Sequence, residues 1–327
     1  MIENKKVLLV ANVVDHGTKS ITESYARELK PAQTIEIPLG VRQLGFRAWR
    51  DLGLGLRRSA RDADVVVCLH HGSLFLGALF LPRSRKLRRV AITDWTRAFP
   101  SRRRDLYIRC YNRVYALLVR AFDAIYSPAP GLRQCYESMI DMRSTLYPLP
   151  YPEVTPDKWP EYRKEGVSIL YIGANIKRKA GDVLLEMWRT ERPAGCDLSF
   201  VSPTPPAGDI DGVSFLTNIQ ANTPEQRALL ETHSIFLLPT RHDAYGFAAL
   251  EALNFGQVVV TTTAAGIASL VAESGGLVGE SPEEAVRMAF ELAVNPTELA
   301  ARRERCRDFM LEYPARVRKH LDEILGI

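Results

Sequence analysis

Short apolar runs recur along the chain, each closed by a polar or glycine-bearing loop and most followed by a segment whose apolar residues repeat at helical spacing. Residues 7–13, 34–37, 64–69, 89–95 (a strand with its exit), 124–127 and 145–149 read as strands. Helices are predicted over 20–30, where Ser20 caps and Glu23 follows three residues on, and over 48–61, 101–122 and 131–140. Pro148, Pro150, Pro152, Pro156 and Pro160 then crowd a stretch that suits neither a helix nor a central strand. Beyond it the alternation resumes, with strands at 167–172, 198–201, 213–216, 235–238 and 258–260 and helices at 182–189, 224–233, 246–255 and from 282 onward. Repeated strand–helix–strand units on both sides of a proline-rich linker predict two α/β domains. The divisions are 1–150, a linker at 151–165, 166–312, and a last helix at 313–325 within a terminal segment 313–327.

A length of 327 residues suits two domains, and 46% hydrophobic with 25% charged residues is an ordinary soluble composition. Charge changes the picture. Residues 1–150 hold 25 Lys and Arg against 13 Asp and Glu, a net +12, while 151–327 hold 18 against 25, a net −7. The two halves therefore meet different partners. The five cysteines are scattered without C-x-x-C spacing, which argues against a disulfide framework or zinc site and for a reduced compartment. The apolar run after Lys5 and Lys6 is broken by Asn12 and lacks a small-residue cleavage site, and no stretch has the length of roughly 20 residues that a spanning helix needs. The expectation is a cytoplasmic protein, with a peripheral place at a membrane left open.

Candidate chemistry gathers in the stretch SIFLLPTRHDAYGFAALEALNFGQVVVTTTAAG, residues 234–266. Asp243 and Glu251 are eight residues apart, about 12 Å along a continuous helix at roughly 1.5 Å per residue, too far for a close carboxylate dyad. With Asp243 folded over the helix start, the N–H groups of Tyr245, Gly246 and Phe247 lie between the two acids, in a place suited to a phosphate. Gly246 lets the backbone approach a ligand closely. The plainer alternative is an N-cap Asp and a solvent-facing Glu. A second loop, 173–181, sets Lys177, Arg178 and Lys179 between Gly173 and Gly181, at a strand end and before a helix; it is an anion cradle or a solvated charge run. In the first half, Gly17, the pair His70 and His71, and Asp94 follow strands, where ligands bind in open α/β sheets. No third ligand stands near the His pair at metal-binding spacing, so no metal is assigned. His71 is placed for polar contact with a sugar or phosphate, with a helix cap by Ser73 as the alternative.

Residues 234–266 resemble the C-terminal signature of retaining GT-B glycosyltransferases of family 4 (glycosyl transferases group 1), in which an E-x7-E pair precedes and enters such a helix. Glu251 matches the second acid in its Glu-Ala context; Asp243 stands where the first is Glu. The resemblance implies that Glu251 holds the ribose hydroxyls of a nucleotide and that Asp243 contacts the transferred sugar. It also relates loop 173–181 to the family's diphosphate grip: Lys179 matches the family Lys and Arg178 supports it, while Ala174 occupies the usual Arg position. The family's histidine near Thr93 is absent, which leaves Asp94 as a sugar contact, an acceptor-side base or a loop cap. The last helix resembles a tail that crosses back to the N-terminal domain.

What the resemblance implies is a GT-B fold, two Rossmann-like α/β domains facing across a cleft, and a retaining, metal-independent, hexosyl-type glycosyltransferase without a cofactor. The donor would be a nucleotide diphosphate sugar, and the acceptor a sugar, glycan or lipid-linked precursor of glycan biosynthesis. Because the first Glu, the loop Arg and the His are all altered, the alternative is a catalytically weak nucleotide-sugar-binding protein that partners an active transferase. Within 83–120, twelve cations face only Asp94 and Asp105, with Trp95, Phe99, Tyr107, Tyr111 and Tyr115 among them, which points to an anionic membrane surface or to a solvated face. No nucleic-acid recognition motif accompanies these arginines, and nucleic acid is not expected as a partner.

Overall fold

A computed structural model describes residues 5–12, 16–37, 46–92, 114, 117–127, 145–146, 166–206, 208–221, 223–243 and 245–326. The chain divides into two compact units, Met1–Pro152 with Ala315–Ile327, and Glu153–Pro314.

In the first unit the elements run β1 (Val7–Asn12), α1 (His16–Leu29), β2 (Gln33–Ile37), α2 (Phe46–Ser59), β3 (Val65–Leu69), α3 (His70–Phe80), β4 (Arg88–Ile92), β5 (Ala124–Ser127) and β6 (Thr145–Leu146). The strands form one parallel sheet in the order β2-β1-β3-β4-β5-β6. Every residue of β3 is buried, as expected of a central parallel strand covered on both faces. Leu8, Val10, Val66 and Cys68 meet Leu56 of α2 and Leu74 and Leu76 of α3 in one core, and burial raises the Cys68 thiol far above its ordinary range.

Two helices start earlier than the sequence pattern indicates. Helix α1 begins at His16, so Ser20 lies inside it rather than capping it, and Gly17 stands in its first turn rather than in a loop. Residues 70–73 are likewise the first turn of α3. His70 adopts a left-handed conformation, φ 66°, which turns the chain from strand to helix in one residue. Ser73 does not cap: its hydroxyl donates back to the carbonyls of Leu69 and His70.

The second unit holds β7 (Val167–Ile172), α4 (Gly181–Glu191), β8 (Cys196–Val201), β9 (Val213–Leu216), α5 (Pro224–Thr232), β10 (Ile235–Leu238), α6 (Phe247–Asn254), β11 (Val258–Thr262), α7 (Ala268–Glu273), β12 (Leu277–Gly279), α8 (Pro282–Ala293) and α9 (Pro296–Leu325). Its parallel sheet is ordered β12-β11-β10-β7-β8-β9. Counted within the unit, that is the doubly wound order of dinucleotide-binding folds, with its reversal between β7 and β10. Ile169, Tyr171, Leu237 and Val260 pack on one face against α4 and α8. Tyr171 stacks on Phe200 with centroids 4.3 Å apart, and Trp188 meets Phe290 edge-on at 5.6 Å.

Helix α9 is continuous from Pro296, and no separate helix starts at Tyr313. Pro314 lies inside it, at the residue where the two units divide. Buried positions continue across it without a break, Leu299, Cys306, Met310 and Tyr313 before and Val317, Leu321 and Ile324 after, so burial of that stripe offsets the one backbone bond that proline removes. The last turn is held by cations on its orphan carbonyls: Lys5 Nζ donates to Leu325 O at 2.6 Å, and Arg88 donates to Ile324 O and Glu323 O at 2.9 Å each. Among the described residues no helix is long and apolar enough to cross a membrane.

His320 on that tail packs edge-on against Tyr126 at 4.9 Å, and burial pushes its pKa down to about 3. Its folded-state pKa lies below the ordinary 6.5, so between those values the unfolded chain binds the proton that the folded chain refuses. The stabilisation is complete above about pH 6.5 and is lost as pH falls toward 3. His320→Leu should therefore flatten the fall in melting temperature between pH 6.5 and 4 measured by differential scanning fluorimetry. Parallel profiles for the two proteins would contradict this.

Candidate functional site

The loops that leave the carboxyl ends of β7 and β10 lie at the reversal of strand order in the second unit. The first, 173–180, folds tightly on itself. Asn175 accepts from Lys179 N at its carbonyl and from Arg178 N at its side chain, both at 2.9 Å, and Gly181 N donates to Ile176 O at 2.9 Å. Tyr171 supports this turn from below. A Cβ at Gly181 would stand 2.7 Å from its hydroxyl oxygen, and one at Gly173 would also strike the ring and its oxygen. Both glycines are therefore needed for the loop to rest on Tyr171, whose hydroxyl burial pushes well above its ordinary pKa.

The second loop, 239–246, is stitched to the first through backbone carbonyls. Thr240 Oγ1 and Arg241 N donate to Arg178 O at 3.1 and 3.0 Å, and Arg178 Nη1 donates to His242 O at 3.0 Å. Arg241 Nη1 reaches Lys177 O at 2.6 Å and Asp182 Oδ1 at 2.7 Å. Burial works to raise the Asp182 carboxyl, but the hydrogen bond and charge of Arg241, with backbone donors, hold it below the usual range. A third loop joins them: Asp243 N donates to Ala264 O at 3.2 Å, Gly266 N to Asp243 O at 3.0 Å and Ile267 N to Tyr245 O at 2.8 Å.

At the centre is an ion pair between Lys179 Nζ and Asp243 Oδ2, the two side chains 13% and 12% exposed. Arg178 Nη1 stands 3.5 Å from Asp243 Oδ1. Burial lowers the Lys179 pKa below its ordinary value even though the Asp243 charge pulls it back up. Gly246, at φ 104°, is the N-cap of α6, and a Cβ there would lie 3.8 Å from Asp243 Oδ2, so the Asp243 carboxylate sits over the start of that helix without capping it. Among the described residues the N–H groups of Gly246 and Phe247 have no partner, the ordinary condition of a helix start. Lys179, Arg178, Asp243 and these two N–H groups thus form a compact charged site.

Glu251 is buried inside α6 and accepts a hydrogen bond of 2.8 Å at Oε2 from Gln226 Nε2 on α5, so the solvent-facing alternative does not hold. Tyr245 is buried with its ring 5.1 Å from that of Phe247, which leaves the backbone of this pair beside the site. Gly17 and His71 stand in the first turns of α1 and α3, in the first unit. Asp94 lies outside the described residues. Three contributors escaped the sequence reading: Gln226, which fixes Glu251; Arg241, which ties loops; and Tyr171, on which a loop rests. Among the described residues no group of three or more His, Cys, Asp or Glu is arranged to hold a metal ion.

Breaking one side of a fully buried ion pair costs about 3–5 kcal/mol, because the remaining charge loses its partner. Lys179 and Asp243 keep some exposure, so Asp243→Asn and Lys179→Met should each cost somewhat less in urea denaturation. The double variant should be more stable than the sum of the two losses implies, by at least about 1 kcal/mol. Additivity within about 0.5 kcal/mol would show that the pair is not coupled.

Residues 166–295, which contain all of this site, match the family model described as glycosyl transferases group 1. Among curated protein sequences none matches the chain. Solved structures resemble it over nearly its whole length at low identity. A glycosyltransferase from Rickettsia africae ESF-5 is 14% identical with a TM-score of 0.71, over 98% of this chain and 99% of that one. An E. coli trehalose-6-phosphate protein bound with UDP-2-fluoro glucose is 10% identical with a TM-score of 0.71, over 98% and 99%. Anabaena HepE in complex with UDP and glucose is 10% identical with a TM-score of 0.71, over 99% and 100%. By fold, two parallel-sheet α/β units matched along the whole chain, the protein is of the GT-B class, and its second unit is similar to the glycosyl transferases group 1 family.

Proposed function

We propose that the protein is a retaining glycosyltransferase that moves a hexose from a nucleotide diphosphate sugar to a sugar, glycan or lipid-linked acceptor. The observation that carries this reading is the Lys179–Asp243 pair, with Arg178 beside it, at the start of α6 and at the reversal of strand order. Phosphate-bearing ligands bind at such helix starts and such reversals. Two of the similar structures hold UDP or a UDP-sugar, which supports a donor of the same class here.

In this reading the diphosphate lies against Lys179, Arg178 and the N–H groups of Gly246 and Phe247. As the bond from the anomeric carbon to the phosphate oxygen breaks, its electron pair stays on the leaving diphosphate. The cations and N–H groups stabilise that charge where it develops, an electrostatic role that needs no metal ion. Asp243, already in contact with the cations, is placed at the sugar end and limits how far they move. Glu251, oriented by Gln226, accepts hydrogen bonds from the ribose hydroxyls. The acceptor hydroxyl replaces the diphosphate on the same face of the sugar, its oxygen forming the new bond to the anomeric carbon and its proton passing to the departing phosphate oxygen. We assign the enzyme to the cytoplasmic side of a membrane, in glycan biosynthesis.

A thermal-shift panel of nucleoside diphosphates identifies the base, since a ligand at about 100 times its Kd adds roughly 2.7 kcal/mol of stability. Lys179→Ala and Glu251→Gln should each weaken the chosen nucleoside diphosphate roughly 10- to 150-fold in calorimetric titration, the loss of a charge-assisted hydrogen bond of about 1.5–3 kcal/mol. Donor hydrolysis and transfer should survive EDTA. Unchanged affinity in both folded variants, or an EDTA loss restored by magnesium or manganese, would overturn the reading.

A further inference from the structure

The amino ends of β4 and β5 carry a cavity of about 530 Å³ lined by Arg83, Arg85, Lys86, Arg88, Arg89 and Arg120, with Asp123 its one acid among the described residues and Leu117 also in its lining. Three of these charges are spent within the protein. Arg88 holds the final carbonyls of α9, and Arg89 makes a two-pronged bond to Asp123, at 2.8 Å and 3.2 Å, which neutralises the acid. Arg83, Arg85, Lys86 and Arg120 are exposed, and among the described residues none has an ion-pair partner. Among the described residues the cavity is thus left with four unspent positive charges and no unspent negative one.

Exposed aliphatic side chains accompany these cations. Leu117 is 64% exposed on the helical turn that leads to Arg120, and Leu79 is 63% exposed in the last turn of α3, four residues before Arg83. Val114, three residues before Leu117 in the chain, is also exposed. A helix C-terminus is ordinarily satisfied by one or two cations, and exposed leucines contribute nothing to that role. Cations around a cavity that Leu117 also lines, with exposed Leu79 four residues from Arg83 in the chain, match the chemistry of an anionic bilayer surface, phosphate against the cations and acyl chain against the leucines.

We propose that this edge is a docking surface for anionic phospholipid, the headgroup phosphate entering the cavity and Leu79 and Leu117 entering the acyl boundary. The proposal deepens the reading of a membrane-side transferase and rests on it for its purpose. Its location is a separate observation. The five residues of β4 span roughly 16 Å at about 3.3 Å each, so docking at the amino edge leaves the carboxyl edge of this sheet, with Gly17 and His71, uncovered. The edge where ligands of open α/β sheets bind then stays free for the acceptor.

The test is co-sedimentation of the full chain with vesicles of phosphatidylcholine alone and of phosphatidylcholine mixed with phosphatidylglycerol. Binding should require the anionic lipid and weaken as salt rises. A cation near an anionic leaflet is worth about fivefold in partitioning, so Arg83→Ser/Arg85→Ser/Lys86→Ser should lose on the order of 100-fold. Leu79→Ser/Leu117→Ser should bind more weakly even at low salt. Both variants should keep the wild-type thermal shift with nucleoside diphosphate, which reports the second unit and separates failure of the docking surface from failure of the donor site. Equal binding to neutral and anionic vesicles, no binding at low salt, or wild-type binding by the triple variant would overturn the proposal. Retention by heparin without vesicle binding would make the edge a site for soluble polyanions and overturn it equally.

Discussion

Strands β7 and β10 are hydrogen-bonded neighbours, but the chain leaves them toward opposite faces of the sheet. Helix α4, after β7, joins the packed face that holds Ile169, Tyr171 and Leu237, whereas α6, after β10, lies outside that cluster and packs on β10 and β11. Two connections that part in this way leave an opening above the strand ends, and it cannot be filled by either helix. Everything that makes the site chemical is arranged around that opening: the cations of loop 173–180 on one side, Asp243 and the start of α6 on the other.

The pairing of Lys179 with Asp243 explains how such an opening is kept charged in the absence of a ligand. Lys179 is mostly buried, and burial alone disfavours its ammonium. Asp243 supplies the opposite charge that keeps the ammonium in place, and the bonds from Thr240 and Arg241 to Arg178 O hold the loop carrying it. In the proposed reading a diphosphate, an anion like the carboxylate, meets the same cations while Asp243 stays beside them, so its arrival asks little rearrangement of the cations. On that reading the free protein is preorganised, because Asp243 already holds Lys179 and Arg178 in place.

Much of this was legible because strong breakers bracket the elements. Strands 167–172, 213–216 and 235–238 were read with the bounds they have, since glycine or proline lies next to or near one end of each. Gly173, Gly181 and Gly246 marked the loops for the same reason. The starts of α1 and α3 were not legible, because a left-handed His70 carries no sequence signature, and glycine at position 17 usually signals a loop rather than a first helical turn. Nor did Pro314 disclose that α9 runs through it, since only the buried stripe on both sides decides the matter. The bond from Gln226 to Glu251 spans 25 residues, and the carbonyls of Lys177 and Arg178 tie loops together irrespective of residue type, so no spacing rule finds either.

A nucleotide diphosphate is proposed to bind where β7 and β10 part. Hydrogen–deuterium exchange by mass spectrometry, with and without the nucleoside diphosphate that most raises the melting temperature, tests it most directly. Added protection is expected in peptides covering residues 173–181 and 240–254, with none at the amino ends of β4 and β5. Protection absent from both of those segments, or strongest in the first unit, would contradict it.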